Sequence, residues 1–298
     1  MQIVVGTRGS KLALAQTNWV ISELQKFNVD CQFEIKVIQT KGDLIQNIAL
    51  HKIGDKGIFV KEIEEQLLNK SIDIAIHSLK DMPSELTKGL IFTPIPKREN
   101  RQDILILRQG AINDLSQIKK NAVIATGSKR RKAQLLEVRE DFQIVPIRGN
   151  IDTRIKKMYE QNLDGIVLAS AGLRRIKLED KISFYLPENL VIPAPAQGAL
   201  GIQIRQDDHQ LYQVITPIKN EIDNLEVCAE RAFLREIKGN CNIPIGATAH
   251  YKDGILNLTG LLGNENKLVR KNFSDKVYDL EEADKLGKCL AKLILKEF

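Results

Sequence analysis

A chain of 298 residues is long enough for about two or three domains, and 43% hydrophobic with 28% charged residues is the ordinary balance of a soluble globular protein. No apolar run is long enough to span a bilayer, and the opening MQIVVGTRGSKLALAQ lacks the layout of a signal peptide, so the expected location is the cytoplasm. The net charge of +6 is modest and dispersed and aromatic residues are 5%, which argues against a base-stacking nucleic-acid module and favours an anionic small molecule met by arginines at particular turns.

Taken in order, the first third alternates strand and helix patterns. Ile3 to Val5 and Phe33 to Ile38 read as strands, Ile58 to Leu68 carries a helical stripe at Val60, Ile63 and Leu67, and Ile72 to Ile76 is a buried strand running into HSLKDMP. Such alternation predicts an α/β lobe with a mainly parallel sheet. Between Thr40 and Gly57 the stretch TKGDLIQNIALHKIGDKG has no clean period and is long for a connection, so it is expected to be a mobile lid, with a plain surface loop as the alternative.

Pro94 and Pro96 mark a crossover into a second series: strands Ile104 to Leu107 and Val123 to Ala125, a helix from Lys129 to about Glu140, a strand Gln143 to Ile147, a helix after Asn150, and a strand Gly165 to Ala169. PAPAQGALGIQIR, Pro193 to Arg205, is expected to carry the chain back to the first lobe, so that two crossings leave a cleft. Ligands in open α/β sheets bind at the C-terminal strand ends. From about Asn220 the pattern changes to a helix Leu225 to Ile237, the loop GNCNIPIG, a strand Ile255 to Leu261 and a closing helix Leu280 to Leu295 with Leu286, Leu290 and Leu293 on one stripe. This predicts a small α+β domain.

An internal echo points to the chemistry. VVGTRGSKLALAQ (Val4 to Gln16) and VIATGSKRRKAQL (Val123 to Leu135) each run from a β-branched stretch through Gly, Thr and Ser into a basic helix start. A helix N-terminus has unpaired N–H groups and a partial positive charge, so Arg8, Lys129, Arg130 and Arg131 oppose the macrodipole unless an anion sits between. RGNIDTR (Arg148 to Arg154) and AGLRR (Ala171 to Arg175) repeat basic turns after strands. Arginine recognises carboxylates bidentately and does not titrate away, so the ligand implied carries many carboxylates or phosphates. A single such turn reads equally as solvated surface; several at successive strand ends do not. HSLKDMP sets Lys80 and Asp81 side by side at a strand end, as a carboxylate holder and a proton-handling or cation-stabilising acid, or as a plain solvated turn. His77 reads as a hydrogen-bonded turn residue rather than a base.

Four cysteines, Cys31, Cys228, Cys241 and Cys289, form no CxxC pair and no zinc spacing, so no metal is expected. Cys241 alone lies in a loop bounded by glycine and proline, where a thiol is as readily reactive as structural.

Together GTRGSKLALAQT, TKGD, GDKGIFVKEIE, HSLKDMP, ATGSKRRKAQL, RGNIDTR, LASAGLRR, PAQGALGIQIR and NCNIPIG resemble the porphobilinogen deaminase (hydroxymethylbilane synthase) family over nearly the whole chain and in the same order. The resemblance implies two periplasmic-binding-protein-like α/β lobes around a cleft plus a small C-terminal α+β domain. The boundaries expected are 1–97 with 199–217, 102–193, and 220–298. It implies a transferase that joins four porphobilinogen molecules head to tail, releases ammonia at each addition and yields linear hydroxymethylbilane for tetrapyrrole (haem) biosynthesis. It also implies a monomer with porphobilinogen as its partner, and no nucleic acid or membrane. A dipyrromethane cofactor is implied on Cys241 through a thioether, with Asp81 as the catalytic acid. The residues matching the family's carboxylate binders are Arg8, Ser10, Lys80, Thr126, Ser128, Arg130, Arg131, Arg148, Arg154 and Arg175. The chain departs from the family in Ala196-Gln197-Gly198, where Gly-Gln-Gly is frequent, in Gln203, where Glu is common, and in Asp152 within the RGN…TR motif. The alternative is a two-lobed anion binder without catalysis, which would need neither an acid facing a cation nor a modified thiol.

Overall fold

The computed structural model describes residues 1–40, 60–239, 243–264 and 267–298. Except for Thr40, the expected lid lies outside the described residues, and so does Cys241. The chain divides into two units, Met1–Glu99 with Ala199–Asn224, and Asn100–Gly198 with Leu225–Phe298.

The first unit is built on a five-stranded sheet. Strands β1 (Gln2–Arg8), β2 (Gln32–Ile38) and β3 (Ile74–Ser78) are joined in parallel, with β1 central to the three. The alternation that buries Ile3 and Val5 in β1 supplies one apolar face. Helix α1 (Lys11–Gln25) covers it with Val20, Ile21 and Leu24, spaced three and four apart on one stripe. Helix α2 (Lys61–Leu68) turns Ile63 and Leu67 onto the opposite side, with Ile38, Ile72 and Leu90. The sheet is mixed rather than mainly parallel. β10 (Leu200–Arg205) enters from the return crossing and inserts antiparallel between β3 and β4 (Leu90–Phe92). A strand that comes back from the other series arrives from the opposite end, so it must run against its neighbours.

The second unit repeats the plan. Its five-stranded sheet has the order β7 (Gln143–Val145), β6 (Val123–Ala125), β8 (Gly165–Ala169), β5 (Asp103–Leu107), β9 (Phe184–Tyr185). β6, β7 and β8 are parallel, and β5 runs antiparallel to β8 and β9. Helices α3 (Lys129–Val138), α4 (Ile151–Glu160) and the short α5 (Ser170–Arg175) follow β6, β7 and β8. Two apolar clusters sandwich the sheet, one around Leu105, Ile124 and Leu135, the other around Ile104, Ile166 and Met158.

The same unit contains the three-stranded antiparallel sheet β11 (Ile245–Lys252), β12 (Ile255–Gly263), β13 (Leu268–Lys276). Phe233 on α7 (Glu221–Ile237) and Leu286, Leu290 and Ile294 on α8 (Leu280–Leu295) share a core with it. The first unit also holds α6 (His209–Ile215).

α8 approaches α7 through Gly287, where an added Cβ would lie 2.3 Å from the Ala229 carbonyl oxygen. Glycine inside an exposed helix ordinarily costs about 1 kcal/mol relative to alanine. Here the sign reverses, because a backbone carbonyl cannot swing aside. Gly287→Ala is expected to lower stability by about 1–3 kcal/mol, the scale of overpacking. Urea denaturation checks it, and a stabilised variant would show that the helices separate freely.

Candidate active site

In the first unit the functional candidates gather at one sheet edge. β1 ends at Arg8, and Ser10 caps α1 by accepting from the Ala13 N–H at 3.2 Å. The parallel register Val5↔Ile74 and Gly6↔Ala75, continued two residues, brings Arg8 level with His77. Beyond β3 a 3₁₀ turn, Leu79–Asp81, carries Lys80 half-buried and Asp81 exposed. Two bonds hold this turn's base: the Leu79 N–H donates to the Ala199 carbonyl at 3.1 Å, and the Gln16 amide donates to Ser78 Oγ at 2.8 Å. His77 is a buried strand residue rather than a turn residue. Its Nε2 lies 3.1 Å from Gln203 Oε1. Burial pushes its pKa down to about 4; the bond to Gln203 opposes the shift and the Arg8 charge adds to it. A neutral, enclosed imidazole is no general base for a solvent-facing substrate.

In the second unit the C-terminal ends of β6, β7 and β8 and the start of antiparallel β5 share one edge. Thr126 follows β6; its hydroxyl accepts from the Ser128 N–H, and Ser128 caps α3 by accepting from the Arg131 N–H. The turn after β7 brings Arg148 and then Gly149, whose φ of +119° admits glycine but not a Cβ, which would meet Thr153 at 2.7 Å. Arg154 Nε donates to the Gly149 carbonyl at 2.7 Å and Lys157 to the Arg148 carbonyl at 3.1 Å. Arg175, on α5, donates to the Gly198 carbonyl at 2.7 Å. Arg148, Arg154 and Arg175 are half-buried.

Arg130 and Arg131 differ from expectation. The basic helix start predicts guanidiniums turned to a ligand, yet both side chains are buried against Asp103, which is fully enclosed at the start of β5. Arg130 Nη1 donates to Asp103 Oδ2 at 2.6 Å, and Arg131 donates to Oδ1 through Nε at 2.9 Å and Nη2 at 2.7 Å. The anion that these arginines meet is internal. Burial works against the Asp103 charge, but the two guanidiniums outweigh it and hold the carboxyl well below the usual carboxylate range. Burial lowers Arg130 in turn, against the pull of Asp103. Two guanidiniums against one carboxylate leave one positive charge in excess.

The chain between β9 and β10 is fastened to this cluster. The Ile192 carbonyl accepts from Arg130 and Gln134, and Gln197 donates to Asp103 Oδ1 at 2.9 Å and to the Arg101 carbonyl at 2.7 Å. Ala196 has a φ of +59°, a left-handed conformation that favours glycine, and is held there by its N–H donating to Glu230 at 2.7 Å. Glu230 and Glu226 also meet Arg101, whose pKa they raise against the effect of burial. Sequence reasoning missed Asp103, Gln197 and Glu230. A lone acid opening an apolar strand, DILIL, was the available signal. Among the described residues no group of three or more His, Cys, Asp or Glu is placed to hold a metal ion, and no helix is long and apolar enough to cross a membrane.

Two mixed α/β units with basic residues at the ends of their parallel strands, the first with an exposed strand-end carboxylate as well, define a two-unit α/β protein. The model of the porphobilinogen deaminase dipyromethane cofactor binding domain matches residues 3–213, and that of the porphobilinogen deaminase C-terminal domain matches 224–296. The chain belongs to the porphobilinogen deaminase family. It is 53% identical to the porphobilinogen deaminase of Clostridioides difficile (strain 630) over 100% of this chain and 98% of that one. It is 50% identical to that of Clostridium novyi (strain NT), over 100% and 99% of the two chains. Among solved structures, it resembles a probable amino-acid ABC transporter extracellular-binding protein from Bacillus subtilis, at 14% identity over 73% of this chain and 90% of that one, with a TM-score of 0.44.

Replacing Asp103 by asparagine keeps its size and leaves two buried guanidiniums without their anion. Breaking one side of a buried ion pair costs about 3–5 kcal/mol. Asp103→Asn should lower the urea midpoint accordingly, and a loss under 1 kcal/mol would mean that solvent or another acid neutralises the pair.

Proposed function

We infer that this chain condenses four porphobilinogen molecules head to tail, with release of ammonia, to give hydroxymethylbilane. Family membership over the whole chain underlies the reading. Two observations from the fold support it: arginine turns gather at the strand-end edge of the second sheet, with a net positive charge, and in the first unit Asp81 stands as an exposed acid just beyond a strand end. The donor set suits carboxylates: planar forks of N–H groups on Arg148, Arg154 and Arg175, and hydroxyls on Thr126 and Ser128.

In this reading Arg130, Arg131, Arg148, Arg154 and Arg175, with Thr126 and Ser128, hold the dipyrromethane carboxylates, and Arg8, Ser10 and Lys80 hold those of the incoming unit. Arg130 and Arg131 act from the Asp103 cluster, which fixes their forks before any ligand arrives. When bound, the dipyrromethane supplies the pyrrole position to which the first unit is joined. Asp81 stabilises the positive charge that develops as ammonia leaves, and takes up or returns a proton there. A preorganised charge facing a developing charge is the strongest single contribution an active site makes. Cys241 carries the thioether. The reading extends to a cytoplasmic monomer of three domains with the boundaries given above.

Asp81→Asn preserves size and removes the charge. In cofactor-loaded protein it should cut turnover at least 10²–10³-fold, about 2.7–4 kcal/mol, while mass and circular dichroism stay as in the parent. Turnover near the parental value in a loaded variant would remove Asp81 from the mechanism.

Intact mass tests the attachment separately. Purified protein should exceed its sequence mass by one dipyrromethane, peptide mapping should find the excess on Cys241, and Cys241→Ala should lack both it and activity. A fully active protein at its bare sequence mass would sink the thioether.

A further inference from the structure

β11 lies at an edge of its sheet, and an edge strand presents N–H groups that its own sheet does not bond. Here every second residue finds an acceptor elsewhere in the same unit. The Ala247 N–H donates to the Pro193 carbonyl at 3.0 Å, the Ala249 N–H to Glu230 Oε1 at 2.9 Å and the Tyr251 N–H to Glu226 Oε1 at 2.9 Å. At Gly246 the approach is closer still. A Cβ there would lie 3.0 Å from the Ile192 carbonyl oxygen and 3.1 Å from that of Pro193. Backbone packs on backbone, at a spacing that a side chain would force apart.

The segment that β11 meets, 192–198, is also the one fastened to the arginines of the strand-end edge. The Ile192 carbonyl accepts from Arg130 at 2.7 Å, Gln197 donates to Asp103 at 2.9 Å, and the Gly198 carbonyl accepts from Arg175 at 2.7 Å. Glu230 joins strand to segment. It is fully buried on α7; its Oε1 takes the Ala249 N–H of the strand, and its Oε2 takes the Ala196 N–H of the segment at 2.7 Å. Arg101 lies 3.7 Å from Oε1 and opposes its charge. Both oxygens of a carboxylate accept, whereas an amide accepts on one side only. A glutamine would therefore set its NH₂ group against one of the two N–H donors. Along the chain, Ile245, the first residue of β11, follows Cys241 by four positions.

We propose that Glu230 and Gly246 are positioning residues for the reaction: together they set the spacing between β11, into which the Cys241 loop runs, and the segment 192–198, which engages Arg130 and Arg175. This rests on the reading of Cys241 as the thioether carrier and of the arginines as carboxylate binders. In that reading one bound group has two supports, a covalent one next to β11 and an ionic one along the segment. Its reacting position is fixed only if the supports keep a constant separation. Glu230 stops them from parting, and Gly246 lets them come close. A misplacement of about 1 Å far from the chemistry can cost about 10²-fold in rate. The carboxylates of the incoming unit are assigned to Arg8, Ser10 and Lys80 of the first unit, so the expected loss falls on kcat rather than on KM.

The test compares the parent with Glu230→Gln and Gly246→Ala, each as cofactor-loaded protein verified by intact mass. Glu230→Gln unties the strand from the segment. Gly246→Ala wedges them apart and removes no polar partner. In both, the Ala247 and Ala249 amides should exchange with solvent about tenfold faster or more, read residue by residue by NMR. In both, kcat should fall about three- to tenfold while KM stays within about twofold of the parent. The two readouts must move together. Parental kcat in a loaded variant with faster exchange overturns the proposal, and so does a fall in kcat with parental exchange. Parental values of both in both variants overturn it too, as does a loss carried wholly by KM. Variants that fold yet carry no dipyrromethane also count against it, because the spacing acts on a group already bound. Should Glu230→Gln not fold, Gly246→Ala decides alone. Failure of the Cys241 reading is seen separately, in the parent, when peptide mapping finds the excess mass on another residue or finds none.

Discussion

The second unit depends on one buried carboxylate. Asp103 accepts from Arg130, Arg131 and Gln197, and it has no exposed surface. An ion moved out of water is stable only if its lone pairs are filled and its charge is matched. Meeting that condition fixes much else. The start of β5, the first turn of α3 and the segment entering β10 must all converge on the same point. The register Asp103↔Ala169 then sets the end of β8 beside it. The strand-end edge of this lobe is therefore organised from within, by a charge that has no exposed surface.

The arrangement also resolves a conflict in the sequence. Cations at a helix N-terminus oppose the macrodipole. In α3 the conflict is met twice: Ser128 satisfies a first-turn N–H through its hydroxyl, and Asp103 neutralises one of the two guanidinium charges. What remains is a single positive charge held in rigid forks. A flexible surface cluster of the same net charge would have to be ordered at each binding event, at a cost in side-chain entropy. The buried cluster is ordered when the protein folds.

Much of this was legible in the sequence, and the exceptions have physical causes. The echo of GTRGS and ATGSKRR predicted two strand–turn–helix junctions, and Ser10 and Ser128 cap both helices because a short hydroxyl side chain suits that position. The stripe on α8 was legible at Leu286 and Leu290, although Ile294, not Leu293, takes the buried place one turn on. β11 and β13 were not legible: IGATAHYK has small residues in place of large ones, and LVRKNFSDK is an edge strand turned mostly to water. The direction of β10 and β5 was not legible either, since periodicity carries no sign. The largest miss, the burial of Arg130 and Arg131, has the same root. A run of basic residues reads as surface unless the acid that buries it is known, and Asp103 lies 27 residues away from Arg130 in the chain.

The two lobes share a plan but use polar burial for different ends. In the second unit the buried groups include ions, and two guanidiniums on one carboxylate leave a positive charge in excess. In the first, the fully buried Gln203 bonds the half-buried Glu64 on one side and the nearly buried His77 on the other, and burial keeps that ring neutral. Asp81 stands in water, where its charge needs no internal partner, on a turn held by backbone and amide bonds rather than by ions. One edge is thus preset to attract negative charge. The other presents Asp81 to solvent on a turn whose base is fixed by the Gln16–Ser78 and Leu79–Ala199 bonds.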